Sequence, residues 1–339
     1  MTKQTLSIVV VTYNSGSYID ACLESLEGAK AEWTGEMQLL VVDNASTDDT
    51  VERVSRRLDV VLIRNHHNLG YAAAANHGIG ESSGQWVMVL NPDTTCESSF
   101  IQELMGAVAP YRAHLINPLI LCPDGSVNSA GLKVHYTGIS TCYGLGTKPA
   151  IFAQRDLIPV GSPSGAAIIA HRHVWEDLGG FDEDYFLYME DVDLGLRAQR
   201  LGYDCICLPK IHMYHDYRFR LSPQKLYFLE RNRLLLLQKL YSKDLQRRIV
   251  WGLRLATLLA GGYAATRGWT YWQAFLEAHR WIRRRTKESA NPNGFETLLP
   301  AMDTHLPVEA TGDSRIAQVV ARIANVLFHR LTQEQVLAK

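Results

Sequence analysis

Cysteine is scarce in this 339-residue chain, and the six present include no CxxC pair. That excludes a zinc ribbon and a disulfide-stapled secreted scaffold. Cys205 and Cys207 are two apart, a spacing that puts both on one face of a strand. The chain has no Walker phosphate loop, and no GxGxxG follows its first apolar run, so phosphates are not held in either of those glycine-rich ways. No HExxH occurs, which removes a zinc protease site. The opening run MTKQTLSIVVVTYNS is too short in apolar residues for a signal peptide, so the chain is expected to start in the cytosol. Net charge is also nearly lacking, at −1, but this hides a strong asymmetry. Lys210–Glu288 carries 17 Lys and Arg against five acids, a balance of +12 that leaves −13 for the remainder. Such a split points to an anionic partner for one end, either a membrane surface or nucleic acid.

What is present reads as an α/β protein large enough for a sizeable core, with 47% apolar and 20% charged residues. Ser7–Val11, Leu39–Val42, Val60–Ile63 and Trp86–Leu90 are short apolar runs of the buried-strand type. Between them lie helical spacings from about Tyr18 (Ile19, Cys22, Leu23, Leu26), through Val51, Val54 and Leu58, and over Tyr71–Ile79. This alternation predicts a parallel sheet with right-handed crossovers. Leu115–Ile158 reads as sheet extension and loops, Gly165–Ala170 as a strand, Glu190–Leu201 as a helix and Tyr203–Leu208 as a strand. From Ser222 to about Lys287 the pattern is helical and basic, with four of the seven tryptophans. Asn291–Gly312 reads as a linker. Ile316, Val319, Val320, Ile323, Val326 and Leu327 then follow an amphipathic helix. The expected divisions are a catalytic domain over 1–220, a basic helical segment over 221–290, the linker over 291–312 and a terminal helix over 313–339.

Three polar clusters fall at predicted strand ends, where ligands of such sheets sit: Thr12–Ser15, Asp43–Thr47 and Asn91–Asp93. Asp43 suits either a helix cap or an acceptor for a pyrimidine N3–H. Asn91 and Asp93 flank a proline, and their oxygens suit either a turn or a hard divalent ion that also takes phosphate oxygens. Taken together, the three clusters favour a site. Glu190-Asp191-x-Asp193 is the densest acidic group. Acids are favoured in a first helical turn by the dipole, and Asp193 with Arg197 reads as a surface i,i+4 pair. The functional alternative is that one carboxylate deprotonates an acceptor hydroxyl. His212 and His215 fall just after a predicted strand, and an isolated histidine is more often structural than a ligand.

In order along the chain, SIVVVTYNS, LLVVDNASTDDT, NLGYAAAAN, LNPDT, GGFDEDYFLYMEDVDLGLR and the late MYH resemble an inverting family 2 glycosyltransferase of the GT-A fold. The resemblance runs from about Leu6 to about Leu237 and leans toward bacterial rhamnosyltransferases of cell-surface polysaccharide synthesis. It implies that Thr12, Tyr13 and Asn14 line a nucleotide pocket, with Asp43 on the base, Asn44 nearby, and Gly70 and Asn76 at its border. It implies Asp191 as the base, Glu190 on the acceptor side, and a metal site (Mg²⁺ or Mn²⁺) of Asp93 and His215. Asn91 replaces the first Asp of the family's Asp-x-Asp motif. An amide keeps an oxygen but loses a charge, which weakens metal affinity.

The implied partners are a dTDP- or UDP-linked sugar and a glycan or lipid-diphosphate-linked acceptor. Transfer of another sugar (Gal, GlcNAc or Glc) from a UDP donor is the alternative within the family. A nucleotidyltransferase would carry basic residues in a glycine-rich loop after the first strand, and Thr12–Ser17 has none. A non-catalytic membrane scaffold would not need Asp43, Asp93, Asp191 and His215. Ile249–Thr266 is apolar but contains Arg254 and is at the short limit of the ~20 residues that cross a bilayer. Its Arg and Trp content suits a helix lying on an anionic inner membrane face, which predicts a cytoplasmic, peripheral protein. No nucleic-acid fold signature appears. The last helix is read as packing internally or against a second copy in a homo-oligomer.

Overall fold

The computed structural model describes residues 4–217, 220–285, 302–306 and 315–335. Contacts divide the chain into two units: Met1–Leu132 with Cys142–Arg218, and Lys133–Thr141 with Phe219–Lys339.

The first unit is built on a twisted sheet. The elements run β1 (Thr5–Thr12), α1 (Ile19–Glu32), β2 (Glu36–Asp43), α2 (Thr50–Ser55), β3 (Val60–Arg64), α3 (Tyr71–Glu81), β4 (Trp86–Leu90), β5 (Thr94–Thr95) and α4 (Phe100–Val108). There follow β6 (His114–Leu121), β7 (Val127–Ser129), β8 (Leu132–Val134), β9 (Ser140–Cys142), β10 (Ile158–Pro159), β11 (Ala167–His171), α5 (Arg172–Leu178), α6 (Glu190–Arg200) and β12 (Asp204–His215), of which β8 and β9 form their own two-stranded sheet and fall mostly in the second unit. The strand order is β10-β12-β6-β11-β4-β1-β2-β3, with β5 on β12 and β7 on β6. β1 lies between β2 and β4, parallel to both. Both of its faces are covered, so an unbroken β-branched run is what the position demands. β11 is antiparallel to β4 and β6, which makes the sheet mixed.

Two apolar clusters cover the two faces of this sheet. The alternation within β12 shows how sharply they divide: Cys205 and Cys207 belong to one cluster, Ile206 and Leu208 to the other. The cysteine pair thus shares one strand face, as its spacing predicts. Helix α3 consists of small residues because it lies almost on the sheet. A Cβ on Gly78 would fall 2.2 Å from Val9 Cγ1.

Two expectations are corrected. His212 and His215 lie inside β12 rather than after it, because a register shift between Leu208 and His212 lets the strand continue past Pro209. His212 Nε2 meets the Pro209 carbonyl at 2.9 Å, a local structural contact. Asp193 and Arg197 form a buried pair, not a surface one. Asp193 is 1% exposed, and Arg197 donates to it at 2.6 Å and to the Leu178 and Gly180 carbonyls.

The second unit is helical: α7 (Pro223–Leu240), α8 (Lys243–Arg248), α9 (Val250–Arg267), α10 (Trp269–Arg284) and α11 (Arg315–Gln335). Ser222 caps α7 by accepting from Lys225 N at 3.1 Å, with Pro223 in the first turn where its missing N–H costs nothing. Ser242 caps α8 in the same way. Helix α9 turns its small residues inward: Gly252, Ala256, Gly261 and Ala264 are buried, while Trp251 and Leu258 are exposed. Helix α11 does the same, burying Ala321, Ala324 and Phe328 and exposing Val319, Ile323, Val326 and Leu327. Of the apolar stripe read as packing internally or against a second copy, the described residues Val319, Ile323, Val326 and Leu327 face outward. No helix among the described residues is long and apolar enough to cross a membrane. The linker read over 291–312 lies, apart from 302–306, outside the described residues.

Candidate active site

The loops at the carboxyl ends of β1, β2 and β4 form one region. Among the described residues, the non-glycine residues with positive φ are Asn14, Ala45, Phe186, Tyr188 and Met189. The first two follow β1 and β2, and the other three lead directly into α6. Strained backbone of this kind collects at functional sites, where the surrounding fold holds it in place.

Thr12 ends β1 opposite Asp43 of β2, and its Oγ1 donates to Asp43 Oδ1 at 3.0 Å. Asp43 Oδ2 accepts from Ser46 N at 3.0 Å. Each carboxylate oxygen therefore keeps acceptor capacity. Asn14 ties the two loops together: its N–H donates to Ser46 Oγ at 2.8 Å and its Oδ1 accepts from Thr47 N at 2.8 Å. Tyr13 is half exposed beside them, free to offer its ring to a base.

Asn44 is buried and saturated. Its amide donates to Asn68 Oδ1 and the Gly70 carbonyl, and accepts from Asn65 and from Leu69 N. Gly70 has φ +87°, and a Cβ there would meet the Phe186 ring and carbonyl at 2.5 Å. Asn76 is likewise committed, exchanging bonds with both backbone groups of Phe181. Asn44, Gly70 and Asn76 thus position the 181–189 loop and its approach.

Asp93 and His215 are 122 residues apart in sequence and meet at 3.0 Å, Oδ1 to Nε2. Pairing of β5 with the end of β12 brings them together. The other His215 nitrogen faces Asn128 Oδ1 at 3.5 Å, and its ring stacks on Tyr217. A contact of about 3 Å is also the spacing of neighbouring donors around a six-coordinate ion with ~2.1 Å bonds. A carboxylate oxygen and an oriented imidazole, with the Asn91 amide at the same turn, fit a divalent ion whose remaining ligands come from a diphosphate. Among the described residues no group of three His, Cys, Asp or Glu is placed to hold a metal ion, so the protein donors alone do not close a coordination shell.

Asp191 opens α6 and is half-buried. Its Oδ2 accepts from Gly165 N and its Oδ1 from Val192 N, each at 2.8 Å. Burial raises its pKa, and those two N–H groups partly offset the rise. Glu190 is 5% exposed, and its Oε2 has no hydrogen-bond partner among the described residues. Burial, then the Asp191 charge, push it up to about 8. Tyr71 links the parts, donating from its hydroxyl to the Gly165 carbonyl at 2.9 Å across 94 residues. After its own burial, the charges of Glu190, Asp191 and Asp93 raise its pKa well above the usual value. Asn91 N donates to the Ala166 carbonyl at 3.0 Å, one residue from the Gly165 N–H that Asp191 accepts, so the turn carrying Asp93, with its partner His215, adjoins Asp191 and Glu190. Asp43 lies on the far side of β1, about 10 Å from the end of β4 on strand spacing alone. Gly165 and Asn128 carry no local motif, and Tyr71, though inside the NLGYAAAAN stretch, has no role assigned by it; all three are found through these long-range contacts.

A family model for glycosyl transferase family 2 matches residues 7–170. An N-acetylglucosaminyl-diphospho-decaprenol L-rhamnosyltransferase of Mycobacterium tuberculosis is 33% identical over 234 residues, covering 62% of this chain and 75% of that protein. GalNAc-T7 solved with UDP, GalNAc and Mn²⁺ superposes with a TM-score of 0.58 at 15% identity, over 86% of this chain and 59% of that one. TarS 1-349 of S. aureus in complex with UDP-GlcNAc gives 0.54 at 17% identity, over 98% and 91%. At such identities these structures establish the fold, an α/β sheet of the GT-A type.

Proposed function

From the premise that this chain belongs to glycosyl transferase family 2 and is a glycosyltransferase, we propose that it moves rhamnose, with inversion, from a dTDP- or UDP-linked donor to a hydroxyl of a lipid-linked or polysaccharide acceptor. The observation that carries the reading is the meeting of Asp93 with His215 on a turn that is bonded to the Gly165-Ala166 segment holding Asp191. The sugar and the lipid-diphosphate acceptor rest on the name of the mycobacterial relative.

Asp191 takes the proton of the acceptor hydroxyl as that oxygen attacks the anomeric carbon. Two backbone N–H groups fix its carboxylate so that a free lone pair faces the acceptor. Glu190, protonated at neutral pH, holds the acceptor by a hydrogen bond, so the pair carries one negative charge. Asp43 receives the base N3–H, Tyr13 stacks on it, and the loop of Asn14 closes one side. A divalent ion held by Asp93 and His215, with Asn91 beside them, would neutralise charge on the departing diphosphate. The test is a thermal-shift screen of nucleotide sugars with Mn²⁺ and with EDTA. One dTDP- or UDP-sugar with Mn²⁺ is expected to raise the melting temperature, and Asp93→Ala to abolish the Mn²⁺-dependent part. Full transfer activity in EDTA removes the metal, and failure of every nucleotide sugar to bind removes the donor reading.

The outward faces of α9 and α11, with Arg254 4.7 Å from the Trp251 ring, support docking of the helical unit on an anionic inner membrane face. Phosphatidylglycerol vesicles are expected to sediment the protein at low salt, and Trp251→Glu/Leu258→Glu to release it. A protein that stays in the supernatant and self-associates through the same stripe would overturn this.

A further inference from the structure

The last turns of α10, with Tyr227 of α7, line an open cleft of about 640 Å³ whose residues are Tyr227, Glu277, Arg280, Trp281, Arg284 and Arg285. It belongs wholly to the second unit. Three arginines and one glutamate leave it with an excess of two positive charges. Arg280 and Arg284 are one turn apart on one helix face and exposed. Among the described residues neither has a carboxylate at ion-pair distance. The Trp281 ring is flanked by guanidiniums, Arg231 at 4.6 Å and Arg285 at 5.5 Å from its centre.

The macrodipole explains why cations collect in the last turn of α10. Side chains pointing separately into water would satisfy it equally. It does not explain their convergence, with Trp281 and Tyr227, on one concavity. A guanidinium presents a planar fork that matches two phosphate oxygens, and of the two that flank Trp281 it is Arg285 that lines the cleft, while Arg231 is buried behind the ring. We propose that the α7–α10 cleft is a binding site for a phosphomonoester or diphosphate group. This goes beyond the glycosyl-transfer reading and does not depend on it.

A soluble phosphate and a lipid-borne one present the same chemistry, and the test separates them. The full chain, in EDTA and without donor, is titrated calorimetrically with inorganic pyrophosphate. In a second arm it is sedimented with phosphatidylcholine vesicles containing phosphatidic acid. Arg280→Gln/Arg284→Gln is expected to weaken binding about tenfold or more, the scale of losing one charge-assisted hydrogen bond. Loss in the pyrophosphate arm identifies a soluble phosphate ligand, and loss in the vesicle arm alone identifies a lipid headgroup. Arg247→Gln/Arg248→Gln removes the same charge from exposed positions on α8 and is expected to leave binding intact. Equal binding by wild type and the Arg280/Arg284 variant in both arms overturns the proposal, as does an equal loss in the Arg247/Arg248 variant. Should the double variant melt early, the single variants Arg280→Gln and Arg284→Gln give the same reading, each with a several-fold loss expected.

Discussion

Asp191→Asn is expected to lower turnover ~10²–10⁴-fold, the scale of losing a general base, with the donor KM unchanged. The substitution is isosteric. Its amide oxygen can still accept from one of the Gly165 and Val192 N–H groups that orient Asp191, while its NH2 meets the other donor to donor, a local cost of one hydrogen bond. What is lost is an oxygen able to take a proton. In the proposed reading the donor is held at Asp43 and Asp93, which the substitution leaves untouched. The pH profile gives a second readout. Asp191 is raised by burial, so activity should fall on the acid side as it protonates, above the ordinary carboxylate range. Glu190 is raised to about 8, so activity should fall again as that group ionises and loses its donor proton. Glu190→Gln keeps a donor at all pH values and should remove the alkaline limb alone. The two limbs report the pair rather than either residue separately. Near-normal turnover in Asp191→Asn would take the base role away from this residue.

The strands of this sheet were legible because a strand covered on both faces has to be apolar at every position. Ile8–Val11, Leu39–Val42 and Val87–Leu90 are such runs, and each is buried throughout. The strand-end clusters were legible for the complementary reason, that the chain turns polar where it leaves the sheet. Pairwise chemistry was not legible. Asp193 and Arg197 have the spacing of a surface pair, and only the packing of α6 against the Gly179-Gly180 turn buries them. Tyr71 precedes a run of alanines in the NLGYAAAAN stretch, but its linking role shows only when a carbonyl 94 residues away accepts its hydroxyl. The outward stripe of α11 shows the converse: period 3.6 identifies an amphipathic helix but not what its apolar side meets.

Glu230→Ala is expected to cost about 3–5 kcal/mol of stability, the usual penalty for stranding one half of a buried ion pair. Glu230 and Arg233 are 4% and 3% exposed. Arg233 holds both carboxylate oxygens, at 2.7 and 2.8 Å, and spends other N–H groups on the Thr137 carbonyl and Thr257 Oγ1. His279 Nε2 adds a contact to Glu230 Oε1 at 3.0 Å. Burial alone would raise the Glu230 pKa, but the Arg233 charge and the hydrogen bonds from Arg233 and His279 outweigh it and hold the carboxyl below its ordinary value. A folded-state pKa below the unfolded one means that this stabilisation is complete above the unfolded carboxylate range. It is lost as pH falls through the folded value. Alanine leaves the Arg233 guanidinium without its counter-charge at a place water does not reach, so the loss should be present at pH 7 and should shrink on acidification as the wild type loses the same pair. Replacing both partners, as Glu230→Met/Arg233→Met, should cost less than the single change, because no buried charge is left behind. Chemical denaturation at pH 7 and pH 4 measures all three. A Glu230→Ala protein as stable as wild type at pH 7 would mean that this pair contributes nothing to holding the helical unit together.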